Sequence, residues 1–210
     1  MTANKYFTIL FLLNTIPNWG FGQTFLVGDK TNFQKVDSLL FYGYDTTKSK
    51  VTDPKRAGQP LASYMQGLVA EMVEQLEPKH LKKWLRVESI EYVLNPTYLN
   101  NLSNKDQLLF YPDYLPDKSI NVDTVKSMIE RYAIEEKEGT GFVVIYEYFS
   151  RDRKSVSGYG CVFDIESREI EILMHNEFRD SNSFRSFRDY WVPARYLVKT
   201  FTKALAKPKE

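Results

Sequence analysis

A single cysteine, Cys161, and one of two histidines, His175, stand close together in the stretch "SGYGCVFDIESREIEILMHNEF" (157–178), with several carboxylates between them. A thiol in contact with an imidazole would make a nucleophile and its base. Parity decides whether they meet, because side chains along a strand alternate between its two faces. In the first half of the stretch the apolar row is odd, Tyr159, Cys161, Phe163 and Ile165; in the second half it is even, Ile170, Ile172 and Met174. With both apolar rows turned to one core, Cys161 and His175 are expected on opposite faces of a β-hairpin. Cys161 then reads as a small buried hydrophobe.

Other catalytic patterns find little support. A zinc site takes three or four His, Cys or carboxylate ligands at favourable spacing, and His80 and His175 fall on distant segments. The stretch "EGTGFVV" lacks the third glycine and the strand-turn-helix setting of a dinucleotide fingerprint. No Walker-type loop or Gly-x-Ser-x-Gly elbow occurs. The sequence therefore assigns no catalytic residue, no metal ligand and no cofactor. Carboxylate catalysis stays open as an alternative, because a single sequence does not show which acids pair in space.

Two patches could bind. The basic stretch "KHLKKWLR" (79–86) reads as the solvated end of a helix. In "NEFRDSNSFRSFRDYW" (176–191), arginine repeatedly follows phenylalanine, and Arg185, Arg188 and Tyr190 are the candidate ligand-binding residues. Arginine and aromatic rings together suit an anion or a sugar face. The competing reading is that these aromatics fasten the last helix while the arginines face solvent.

The elements that must carry these residues follow from periodicity. Stretch 35–45 is apolar and β-rich, and 45–60 reads as a long turn. Leu61, Met65, Leu68, Val69, Met72, Val73 and Leu76 recur at helical spacing between Pro60 and Pro78. A short basic helix and a second strand over 86–94 come next, then a long Asn-, Pro- and Tyr-rich connection over 95–119, a length that implies function or hidden structure. Val122, Val125, Met128, Ile129 and Tyr132 stripe another helix with Asn121 as its N-cap. The run "GFVVIYEYF" (141–149) is apolar at both parities, as in a strand covered on both faces. The hairpin follows, and Trp191, Ala194, Val198, Phe201 and Leu205 stripe a last helix. The expected fold class is α/β (α+β): one domain over 36–205, in the order β-α-β-α-β-β-β-α. Its mixed sheet of about five strands ends in a three-stranded antiparallel meander, with about three main helices packed on it. A lead-in covers 23–35 and a tail 206–210.

Residues 1–22 read as a secretory signal peptide. Lys5 precedes an apolar run over 6–16, then Pro17 and the small residues Gly20 and Gly22. That run is about half of the ~20 residues that span a bilayer, so no stable membrane anchor is expected after cleavage. Lys5 is the only charged residue removed with the leader, which leaves basic and acidic side chains equal in number. Such a chain has no global attraction to nucleic acid. The expected location is periplasmic or secreted, and one cysteine means the fold holds without an internal disulfide.

From Glu138 onward the sequence resembles the C-terminal half of a set of uncharacterised exported proteins of Bacteroidetes. The likeness lies in a Gly-rich strand entry (Gly139, Gly141), the "FDI" segment (163–165) with its charged turn, and the Phe-Arg-x-Tyr-Trp opening of the last helix (187–191). The stretch "GYDTTKSKV" (43–51) is similar to that set's first-strand exit, while "RDSNSFRS" departs from the glycine-richer loop of its relatives. The set has no established activity to transfer. At the level of fold the chain is also similar to the amino-terminal domain of TolB and to periplasmic activators of cell-wall synthases, which implies another envelope protein as partner. The resulting expectation is an exported, non-catalytic domain that binds protein or glycan; the alternative is a carboxylate-dependent hydrolase of envelope polymers. Mass spectrometry of the protein from its native host should find a mature chain beginning at Gln23. An intact Met1 would remove the case for export.

Overall fold

The computed structural model describes residues 24–103, 109–112, 120–179 and 191–206. In chain order these form β1 (Thr24–Val27), α1 (Lys30–Phe33), β2 (Ser38–Asp45), β3 (Lys50–Thr52), a 3-10 turn (Pro54–Arg56), α2 (Ala62–Gln75), α3 (Pro78–Leu85) and β4 (Ser89–Tyr92). They continue with α4 (Asn95–Ser103), β5 (Phe110–Tyr111), α5 (Val122–Glu130), β6 (Thr140–Ser150), β7 (Ser155–Asp164), β8 (Ile170–Arg179) and α6 (Trp191–Leu205).

Eight strands make one mixed sheet along the path β1-β8-β7-β6-β2-β4, with β3 also paired to β6 and β5 to β3. The half from β1 to β6 is antiparallel, and β2, β3, β4 and β5 pair in parallel. Antiparallel neighbours join through tight turns, whereas parallel ones need a crossover. Helices α2 and α3 supply the crossover from β2 to β4.

Strand β6 is central, and its two parities enter two cores. Phe142, Val144, Tyr146 and Phe149 pack with buried residues of α2, α3 and α6, including Leu68, Met72, Leu85, Val198 and Phe201. Val143 and Ile145 face the other way, into a smaller core with Val125, Met128 and Ile129 of α5. Each fully buried large apolar side chain contributes roughly 1.5–3 kcal/mol relative to exposure. Asn121 caps α5, its side chain accepting from the Thr124 amide at 2.8 Å. Against α6 the sheet has no side chain to offer at Gly160: a Cβ there would lie 2.8 Å from Cγ of Phe201.

The three-stranded meander, the helix stripes and the double-sided β6 match the sequence reading. The strand count does not, since the sheet has eight strands where about five were expected. The additions β1, β3 and β5 have two to four residues each, too short for alternation to show. They lie in the polar lead-in, the long turn over 45–60 and the long connection over 95–119. The connection also holds α4, whose Pro96 occupies the first helical turn, where a missing amide hydrogen is tolerated. Residues 1–22 lie outside the described residues, among which no helix is long and apolar enough to cross a membrane.

Gly160→Val should force Phe201 off the sheet and lower unfolding free energy by about 1–3 kcal/mol, the usual range for overpacking. Equilibrium denaturation measures this, and an unchanged midpoint would show that α6 does not lie on β7 as described.

Candidate functional site

Strand β2 runs past its neighbour β4. Their pairing ends at Phe41 and Tyr92, and the backbone from Tyr42 onward needs other partners on that edge. Helix α4 supplies them with side chains. Thr97 donates its hydroxyl to the Tyr42 carbonyl. Asn101 donates Nδ2 to the Tyr44 carbonyl at 2.8 Å, and its Oδ1 accepts the Thr46 amide at 2.8 Å and the Thr46 hydroxyl at 3.1 Å. Gly43 permits the approach. Its φ of +87° suits glycine, and a Cβ would stand 2.9 Å from Leu94 Cδ2 and 3.2 Å from Thr97 Oγ1.

Because α4 sits over the end of β2 while α2 lies further across the sheet, a cleft of about 440 Å³ opens between the two helices. From α2 it is lined by Ala62, Met65, Gln66, Val69, Ala70 and Val73, and from α4 by Asn95, Thr97, Tyr98, Asn101 and Leu102. Tyr44, Thr46 and Leu94 complete the lining, at and just beyond the carboxyl ends of two parallel strands. Ligand sites of open α/β sheets favour that position. No lining residue is an acid, a base or a histidine. The Tyr44 hydroxyl is buried without a hydrogen-bond partner among the described residues. Burial above all, with Tyr146 and Tyr92 nearby, pushes its pKa well up, so it stays a protonated donor.

The opposite face of the same strand end is braced by Asp45. This fully buried carboxylate accepts from the Thr47 amide at 2.8 Å and hydroxyl at 2.6 Å, from Asn100 Nδ2 at 2.8 Å and from the Tyr132 hydroxyl at 2.6 Å. Four donors compensate for its removal from water. The Tyr132 phenol is driven well above its ordinary pKa, first by burial and then by Asp45. Asn101 thus ties α4 to the backbone edge of β2, and Asn100 ties it to the Asp45 side chain.

A second polar cluster sits on a β-bulge. The β6–β7 register shifts between Tyr146 and Tyr148, so Glu147 is the extra residue. Its Oε2 accepts the Ser157 hydroxyl at 2.7 Å and lies 3.0 Å from Nε2 of His175. The His175 ring also packs on Tyr159, with centroids 4.8 Å apart. The register overturns the expected parity: Cys161 pairs with Leu173 and Tyr159 with His175, so cysteine and histidine share a face. The even row of β8 instead joins the even row of β7, Ile172 and Met174 lying in the larger core with Val162. Both faces being covered, the apolar parity of each strand did not reveal which rows match. No thiol–imidazole pair results, because Cys161 is wholly buried, its thiol pKa raised by that burial, and His175 engages Glu147.

The candidate ligand residues Arg185, Arg188 and Tyr190 lie outside the described residues. At the borders of their segment, Phe178 stacks on Tyr196 of α6 with centroids 5.1 Å apart, and Trp191 is half-buried against the larger core. In the basic patch Leu81 and Leu85 are buried while Lys82 and Lys83 are exposed, as a solvated helix face requires. The sequence reading missed the cleft because it missed α4, although Leu94, Tyr98 and Leu102 recur at intervals of four. Comparison with protein-family models, curated proteins and solved structures finds no match.

Asn101→Ala should leave the Tyr44 carbonyl and the Thr46 amide without their partner and lower stability by about 1–3 kcal/mol. Urea titration reads the loss. A change of a few tenths would mean that α4 is not what holds this edge.

Proposed function

We propose that the protein is a non-catalytic binding domain, exported to the cell envelope, and that the cleft between α2 and α4 is its binding element. The observation that carries this reading is a cleft of about 440 Å³ with largely apolar walls and no charged side chain in its lining. Small-molecule sites are concave and largely apolar with a few placed polar groups, and they fall in this range of volume. Hydrogen bonds from Thr97, Asn100 and Asn101 of α4 to β2 hold the two walls apart without an occupant.

The alternative, a carboxylate-dependent hydrolase, would draw on Glu147. The Ser157 and His175 contacts at its Oε2 hold that carboxylate in place within the sheet. A glycosidase would further require a second carboxyl about 5–9.5 Å away across a substrate groove. The cleft has the wrong chemistry for that reaction, because it contains no acid.

The neutral fluorophore N-phenyl-1-naphthylamine should bind the wild-type protein at a single saturable site. Ala70→Trp, an exposed residue on the cleft wall, should weaken binding at least tenfold with an unchanged circular dichroism spectrum. Undiminished binding by this variant would place the site elsewhere.

A further inference from the structure

We propose that the outer face of α3 and α6 docks on a membrane surface of anionic phospholipid headgroups. No residue of the cleft takes part, so the inference stands apart from the cleft reading. Helix α3 buries Leu81 and Leu85 and turns Lys82 and Lys83 to solvent. Helix α6 buries Leu197, Val198, Phe201 and Leu205, exposes Tyr196 and Lys203, and leaves Lys199 half-buried. The two helices share one surface: the Lys199 ammonium lies 5.9 Å from the ring centroid of Trp84 on α3 and 5.8 Å from that of Tyr196 on its own helix. His80 stacks on Trp84, and Phe178 on Tyr196, which holds both rings in place.

Charge sets this face apart. Neither α3 nor α6 contains an acidic residue. Near α3 in the chain, Glu77 pairs with Lys79 at 2.7 Å, and Glu74 and Glu88 lie beyond the helix ends. Lys82, Lys83, Lys199 and Lys203 have no ion-pair partner among the described residues. Lys199 and Lys203 stand four apart on one helix, a spacing at which like charges destabilise it. A solvated helix end accounts for the lysines of α3 alone. It does not account for α6 adding its own beside them, in a chain of 28 basic and 27 acidic residues. An anionic partner relieves the repulsion that this crowding creates. The choice of a membrane over an acidic polymer follows from residue type and shape. The four cations are lysines, point charges suited to a diffuse field, whereas arginine supplies the fork that grips single phosphates or carboxylates. Trp84 and Lys199 fill the trough between the helices, so a polymer chain has no groove to follow. Tryptophan and tyrosine at the rim suit the boundary between headgroups and hydrocarbon.

Co-sedimentation with vesicles tests this on the protein purified from its native host. Each lysine near an anionic surface raises partitioning roughly fivefold. Phosphatidylcholine vesicles with about one-third phosphatidylglycerol should therefore bind the protein about tenfold or more tightly than pure phosphatidylcholine does, and raising salt from about 0.1 to 0.5 M should remove most of the difference. Lys82→Glu with Lys83→Glu, and separately Lys199→Glu with Lys203→Glu, should each weaken binding about tenfold or more with an unchanged circular dichroism spectrum. Lys48→Glu with Arg131→Glu makes the same charge change beside α5, on the other side of the sheet, and should weaken binding less than about threefold. Equal binding to the two kinds of vesicle overturns the proposal, as does wild-type binding by either lysine pair. An equal loss in the Lys48 and Arg131 variant reduces the effect to net charge and overturns the face. Tighter binding to soluble polyglutamate or polyphosphate than to the vesicles, lost in the same lysine variants, makes the partner an acidic polymer and overturns the membrane assignment.

Discussion

A strand longer than its neighbour leaves backbone groups that must be satisfied somewhere, and in this protein the end of β2 sets that condition for everything around it. Sheet pairing with β4 stops at Phe41, and side chains of α4 replace the missing ladder. The bonds from Thr97, Asn100 and Asn101 fix α4 at a height above the sheet where it does not close against α2. The cleft follows from that docking. So does the glycine at position 43, since any side chain there would strike Leu94.

The buried polar groups and the two apolar cores have different tasks. The cores hold the sheet between its helices through area removed from water, a non-directional force that tolerates many arrangements. Asp45 with its four donors and Glu147 with Ser157 and His175 are directional. Glu147 is the extra residue of a bulge, and its bonds to β7 and β8 fit a single register. Sliding either strand by one position would strand a carboxylate in the interior, at a cost of several kcal/mol.

Much of this architecture was legible where periodicity was long enough to read. The stripe from Leu61 to Leu76, the cap at Asn121 and the double-sided run over 141–149 each announce an element and the side it buries. Legibility failed in three physical situations. Strands of two to four residues, β1, β3 and β5, carry too little alternation to stand out. Helix α4 opens with Asn-Pro and is rich in asparagine, a composition that ordinarily marks loops; here the asparagines serve the tertiary structure. The pairing of Cys161 with Leu173 was hidden because a sheet covered on both faces has two apolar rows per strand, and parity alone does not match them. Of the site, Tyr44 lay within an assigned strand, but its unmet hydroxyl is a property of the packed interior and no sequence pattern encodes it.

The manner of α4's attachment bears on motion. Only Pro96 and Thr97 of this helix are buried, so little apolar area resists its departure from the sheet, and its hold is a handful of side-chain hydrogen bonds. Net, such bonds contribute about 1 kcal/mol each, whereas separating α2 or α6 from the sheet would expose a core. Segments of that kind open by themselves, at free energies well below that of global unfolding. Helix α4 is therefore the element expected to part from the sheet first, and amide hydrogen exchange within it should outpace that of α2 and α6 while the sheet and its two cores stay intact.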